Sequence, residues 1–193
     1  NGTAAIFGNE TLPVTASIRV AQAVNENSEN VATSATVTQD IAKSNQSDNL
    51  SAVNNGNTTF ADNTSERWSN WNNRTTSDQA TLTFTWATAQ LLDSCNIYYY
   101  YDSCSAKPKN VEFKYSLNGT EFYTVSASES IVQSATLGAE YTYKFDNVIN
   151  PVAVQIVFTQ QSGTTGNNCV AVIEVEMMTY TGKLTYNTSA DLS

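Results

Sequence analysis

Two short stretches hold most of the side chains able to grip a ligand. Trp71-Asn72-Asn73-Arg74 places an indole, two amides and a guanidinium on four consecutive residues. Tyr100-Tyr101-Asp102 adds two phenols and a carboxylate, and Lys107 follows closely, with Lys109 in the same loop. Amides, carboxylates and guanidiniums exchange hydrogen bonds with hydroxyls, and aromatic rings stack on the C–H face of a pyranose. Arg74 and Asp102 carry the charged groups able to take such hydroxyls, and Trp71 or Tyr101 could serve as the platform. Each residue also has a plain structural reading. Asp102 is a turn-former, Arg74 a solvated loop residue, and some of the rings from Tyr98 to Tyr101 must point inward.

Other chemistries are closed to this chain. Its 193 residues contain no His, which excludes Ser-His-Asp and Cys-His catalysis and His-ligated zinc. A cysteine nucleophile has no imidazole to serve as its base. Asp102, Glu112, Glu121, Glu140 and Glu174 are carboxylates of the kind a glycosidase needs, but they sit in strands and turns without a paired motif. Nine Lys plus Arg against 18 Asp plus Glu give a net charge of −9. That balance argues against nucleic acid and anionic membranes, and favours neutral over sulfated or sialylated ligands. No run of apolar residues is long enough to span a bilayer, so no membrane insertion is expected. No basic segment precedes an apolar stretch at the start, so no signal peptide is expected either.

The elements that must position these residues have a period of two. Leu82, Phe84 and Trp86 alternate with threonines, and Val111, Phe113 and Tyr115 alternate with Glu112 and Lys114. Val152, Val154, Ile156 and Phe158 repeat the pattern. Each run reads as a strand with one buried face. Ile97-Tyr98-Tyr99-Tyr100-Tyr101 is large at every position, so it reads as a strand covered on both faces or one presenting Tyr edges at a rim. Asn118-Gly119 marks a hairpin turn between strands at 111–116 and 121–126, and 162–168 reads as a loop. No window shows a helical stripe. The expected fold is all-β, an antiparallel β-sandwich or jelly roll. Trp86, at the end of an alternating run, is expected in its core, while Trp71 suits core or surface equally.

Cysteine chemistry adds one open choice. Cys104 follows the tyrosine strand and Cys169 opens the last long strand. If those strand ends share one tip, a Cys104–Cys169 disulfide closing a loop of about 65 residues would contribute about 4 kcal/mol in the chain-entropy model. The alternative is three thiols. Cys95 is expected to be buried and unpaired.

Composition divides the chain. Residues 1–22 read as the tail or last strand of a preceding module, since Val14, Ala16, Ile18 and Val20 alternate over 13–20. Residues 23–30 read as a linker, 31–180 as the main domain and 181–193 as an outgoing linker.

Several motifs in this order carry a resemblance. Asp48-Asn49-Leu50-Ser51-Ala52-Val53-Asn54-Asn55-Gly56 precedes Glu66-Arg67-Trp68-Ser69-Asn70-Trp71. Val111-Glu112-Phe113-Lys114-Tyr115-Ser116-Leu117-Asn118-Gly119 follows, and Val172-Ile173-Glu174-Val175 closes the set. Together they resemble discoidin-like, galactose-binding-fold domains over residues 31–180, and the resemblance implies that Trp68 packs between the two sheets. The segment 14–20 resembles the end of a bacterial immunoglobulin-like module, a pairing found in large Gram-positive surface glycosidases. Within that group, the chain most resembles the family 71 carbohydrate-binding modules of streptococcal surface β-galactosidases.

The resemblance implies a non-catalytic module for terminal β-galactose, lactose or N-acetyllactosamine. Such a module targets an attached glycosidase, or the cell, to galactose-terminated host glycans. Its expected setting is extracellular, at the cell surface or wall, as a monomer beside neighbouring modules of one multidomain protein. The sugar-binding residues expected are Trp71, Asn72, Asn73, Arg74, Tyr100, Tyr101, Asp102 and Lys107. The resemblance also implies a structural Ca²⁺ held by Asn55, Asn57 and Glu174. Asn55 stands where the pattern has Asp, which removes one charge from a cation that prefers several oxygens. The alternative there is a metal-free turn with Glu174 in a salt bridge or in solvent. Two other readings of the whole domain remain at this point: a protein-binding adhesin on the same fold, and a structural spacer.

Overall fold

Among the described residues there are twelve strands, numbered in chain order. The structure is a computed structural model that describes residues 2–6, 10–14, 27–41, 49–161, 163–164 and 169–182. Most of the 13–20 strand, most of the 162–168 loop, Asp48 and the 183–193 segment lie outside the described residues. Strands β1 (Gly2–Ile6) and β2 (Glu10–Val14) form a two-stranded antiparallel ladder of their own.

The other ten strands form two five-stranded antiparallel sheets. One sheet has the order β4 (Trp68–Ser69), β12 (Ala171–Thr179), β6 (Leu92–Tyr100), β10 (Gly138–Ile149) and β9 (Ala127–Ala135). The second runs β3 (Thr36–Gln39), β5 (Gln79–Thr85), β11 (Ala153–Thr159), β7 (Asn110–Ser116) and β8 (Tyr123–Val125). The fold is the antiparallel β-sandwich expected from the alternating runs, and the architecture that the discoidin-like resemblance implies. The only helices among the described residues are short 3-10 turns.

The inward faces make the core. Trp68, Leu82, Phe84, Ile97, Tyr99, Phe113, Ile156, Phe158, Val172 and Met177 are essentially inaccessible to solvent. Burying one large apolar side chain contributes about 1.5–3 kcal/mol, so this layer is the main source of stability. Trp68 donates its indole N–H to Gln39 Oε1 at 2.6 Å, and Trp86 donates to the Val31 carbonyl at 2.8 Å. Both are core residues with their single polar atom satisfied. Cys95 is buried beside them, and burial pushes its thiol pKa up.

The tyrosine strand is covered on both faces. Tyr99 faces the main core, where its hydroxyl lies 3.0 Å from that of Tyr143. Tyr98 and Tyr100 face outward into a second apolar cluster with Ala171, Ile173, Phe60 and Leu137. Close packing there requires Gly138, because a Cβ at that position would collide with the Tyr99 carbonyl and the Phe60 ring. The Asn-Gly hairpin is also present. Gly119 takes φ +82°, and Asn118 Oδ1 accepts from the backbone N–H groups of Thr120 and Glu121.

The sandwich has two unlike ends. At one, which we term the tip, β6 and β11 finish while β7, β10 and β12 begin. At the other, the mouth, residues 29–30 pair with 178–179, and the Tyr180 N–H bonds to Leu91 O. The described ends of the sandwich chain therefore lie at the mouth, away from the tip.

Candidate functional site

The tip gathers residues that are far apart in sequence. Asn70 and Gln160, both buried amides, stitch its loops together. Asn70 Nδ2 donates to Gln160 Oε1 at 3.1 Å, and Asn70 Oδ1 accepts from the Val170 N–H at 2.8 Å. Gln160 Nε2 donates to the carbonyls of Arg74, at 2.6 Å, and of Gly163. Three segments, 69–77, 160–163 and 169–170, are thus fixed by two side chains. A buried amide left unpaired is costly, so these bonds hold the loops in one arrangement.

On this support stands a 3-10 turn, Trp71–Asn73. Arg74 follows it and folds back. Its guanidinium carbon lies 3.4 Å from the Trp71 ring centroid, and Nη1 donates to the Trp71 carbonyl at 2.6 Å. Arg74 Nε is buried without a hydrogen-bond partner. Trp71 and Arg74 thus form one stacked unit with a fixed ring orientation. Asn73 accepts at its backbone carbonyl from the Thr76 and Ser77 N–H groups, while Asn72 is exposed.

Beside this unit lies a cleft of about 210 Å³. Its walls include Trp71, Arg67, Asp102, Thr64, Ser69 and Ser105. Asp102 Oδ1 accepts from the Cys104 N–H at 2.7 Å, so the carboxylate makes the turn and also borders the cleft. Arg67 has no place in the sequence reading of the site. Its guanidinium sits 4.0 Å from the Tyr100 ring centroid and bonds Asp62 Oδ1 at 3.0 Å. Bonds from Arg67 and then Tyr100 hold the Asp62 pKa below the usual carboxylate range. Burial and then the Asp62 bond raise that of Tyr100. The Arg-Trp-x-x-Trp spacing was a usable signal: with Trp68 inward, Arg67 one residue earlier points to the opposite face.

Not every sequence-selected residue meets the cleft. Tyr100 is buried beneath Arg67 and acts from behind the wall. Tyr101 is half-buried and packs against the main core. Lys107 pairs with Glu129 and lies 4.6 Å from the Tyr141 ring centroid, on the β9–β10 side. Cys104 and Cys169 do share the tip, because the Cys169 N–H donates to Cys104 O at 2.7 Å and Ser105 bridges Cys169. No S–S bond joins them, and all three cysteines are thiols. Backbone bonding supplies the brace expected from a disulfide.

The candidate cation site is on the flank. Glu174 is fully buried, in neither a salt bridge nor solvent. Its Oε2 accepts from the Gly56 N–H at 3.1 Å, and its Oε1 has no partner. Burial pushes its pKa up to about 8. Asn55 Oδ1 accepts from the Asn57 N–H, and Asn57 Oδ1 from the Thr59 N–H. Both amide groups donate to Glu66 Oε2. Among the described residues, no cluster of three or more acidic, Cys or His side chains could hold a metal. The orphaned Glu174 oxygen is the one feature that suits a cation. A proton satisfies the same atom.

A β-sandwich with a polar, aromatic-edged cleft between its tip loops defines a binding module. The chain belongs to the F5/8 type C domain family, whose model spans residues 30–175. None of the curated proteins compared matches the sequence. Among solved structures, the fold is similar to a chain from the Streptococcus pneumoniae β-galactosidase BgaA, with TM-score 0.58 and 16% identity over 74% of this chain and 90% of that one. It is similar to the family 32 carbohydrate-binding module of Clostridium perfringens NanJ, solved in complex with galactose, with TM-score 0.57 and 16% identity over 79% and 99%. It is also similar to a fucolectin from striped bass (Morone saxatilis) serum, with TM-score 0.58 and 16% identity over 80% of this chain and half of that one.

Proposed function

We propose that the domain is a non-catalytic carbohydrate-binding module for terminal galactosides, with β-galactose, lactose and N-acetyllactosamine as its ligands. The observation that carries this reading is the convergence of Arg67, Asp102 and Trp71 on one cleft at the tip. Arg67 donates to hydroxyl oxygens, Asp102 accepts from hydroxyls, and the Trp71 indole offers an apolar edge. The cleft volume suits one terminal sugar. Arg74 acts by stacking on Trp71, and Asn72 and Asn73 rim the same turn. The galactose-bound module and the β-galactosidase among similar folds support this ligand class. The module works outside the cell, beside an attached glycosidase.

Calcium belongs to this proposal as a structural ion. Glu174 would hold it with the oxygens of Asn55 and Asn57, tying the 55–57 turn to β12. Its chemistry there would be charge neutralisation of a buried carboxylate.

The test is calorimetric titration with lactose and N-acetyllactosamine, with mannose as control, repeated after EDTA. Saturable heat with the galactosides alone is the expected result. Absence of heat with every sugar at millimolar concentration overturns the reading and leaves the adhesin and spacer readings. Binding to a host protein that survives its deglycosylation would favour the adhesin.

A further inference from the structure

The mouth holds a second groove, larger than the tip cleft, of about 440 Å³. Its origin is a break in the core pattern. Along β10, Tyr143 and Phe145 are buried and meet Phe113 of β7 at ring-centroid distances of 5.2 and 5.3 Å. The residue in step with them is Asn147, which is exposed. Pairing of β10 with β6 also breaks between Lys144 and Ile149. β10 therefore leaves the inward row at Asn147 before Ile149 returns to the core.

On β7 and β8 the inward row continues past the core with Tyr115 and Tyr123, whose ring centroids are 6.0 Å apart. Tyr123 is 52% exposed and the adjacent Leu117 60% exposed. Tyr115 and Leu117 line the groove together with Asp146, Asn147 and Asn150, and Tyr123 stands against Tyr115 just outside that lining. The volume falls within the ~300–1,000 Å³ of small-molecule sites.

We infer that this groove is a second saccharide-binding site, for a neutral disaccharide or longer chain end. Tyr115 is the aromatic platform for a sugar face, with Tyr123 packed at its edge. Two amides and a carboxylate, from Asn147, Asn150 and Asp146, line the same groove to take its hydroxyls. Among the described residues, no cationic side chain lines the groove, while Asp146 does, so the charge there disfavours anionic ligands. A purely apolar partner is disfavoured because it would strand Asp146 and two amides. The site lies at the opposite end from Trp71 and stands independently of the tip reading. Two sites at opposite ends let one domain bridge two glycan chains or two points of one chain.

The experiment is an NMR titration of the full chain with lactose, maltose, cellobiose and chitobiose, repeated on Trp71→Ala, Tyr123→Ala and Asp146→Asn. The expected result is saturable shifts at residues 115–126 and 146–150 for at least one disaccharide. Trp71→Ala should leave that affinity within twofold, and Tyr123→Ala and Asp146→Asn should each weaken it at least tenfold. If no disaccharide at tens of millimolar moves these residues, the inference is overturned. Contacts from residues 183–193 to Tyr123 in the free protein also overturn it, because the chain's own segment would then fill the groove. Shifts at the mouth without shifts at the tip would sustain this site and reject the tip reading, so the two fail separately.

Discussion

The two ends of the sandwich bring polar groups together by different means. At the tip, Asn70 and Gln160 are buried and spend their hydrogen bonds on backbone, so the loops above them are held from below. The cleft residues Arg67 and Trp71 are in turn held by stacking on Tyr100 and against Arg74. At the mouth, Asp146, Asn147 and Asn150 are exposed and line a groove beside the end of β10. One end is preorganised by a buried network, the other by the ends of strands. Preorganisation lowers the ordering cost of binding, so the tip should bind with less entropic loss than the mouth.

Substitutions can break or sharpen that contrast. The largest effect should come from Trp71→Ala: at least a tenfold loss of galactoside affinity, about 1.4 kcal/mol or more. Its melting temperature should change little, since Trp71 is not in the core. A calorimetric affinity within twofold of wild type would remove Trp71 from the site.

Next in size is the clamp. Gln160→Ala leaves Asn70 and several loop carbonyls without their partner, and should cost about 1–3 kcal/mol. The matched change at the mouth, Asn147→Ala, should stay within about 0.5 kcal/mol. Denaturant midpoints of the two variants give the comparison directly. Equal losses would mean that the ends are not built differently.

Glu174 adds a pH dependence on the flank. Burial raises its folded pKa to about 8, from 4.5 in the unfolded chain. Between those values the folded state holds the extra proton, so this group's contribution to stability is full below pH 4.5 and is lost as pH rises towards 8. Melting scans from pH 5 to 9 should show that decline in wild type, and Glu174→Gln should flatten it. If calcium binds there, it competes with the proton and should raise the melting temperature more at pH 8.5 than at pH 5.5. A calcium effect independent of pH, or absent at both, would separate the ion from Glu174.

The smallest change should be Lys107→Ala. Its ammonium pairs with Glu129 on a partly exposed surface, where such pairs contribute about 0–1 kcal/mol. Galactoside affinity should move less than twofold, and a larger loss would bring Lys107 back to the cleft.

Strand content was readable wherever one face is buried. Thr81 to Trp86, Val111 to Tyr115 and Val152 to Phe158 alternate because solvent and core select opposite residue types on successive positions. The same rule explains the silence of β9. Nearly all of 127–135 is exposed, so both faces are polar except for Ile131 and Val132, and no period arises. Lys107 looked like a neighbour of Asp102 because sequence distance was the only ruler. The chain reverses at Ser105, where it bridges Cys169, and carries Lys107 to β9.

By itself, then, the sequence determined the strands that bury one face, the inward Trp86 and the Asn-Gly hairpin. Each depends on side chains within a few residues of one another, and local chemistry suffices. The tertiary structure alone decided that Arg67, Trp71 and Asp102 share a cleft, that Asn70 meets Gln160 across 90 residues, and that Glu174 is sealed with one oxygen unpaired. Those outcomes depend on which strand ends meet at the tip, and strand order is set by non-local pairing that no local pattern records.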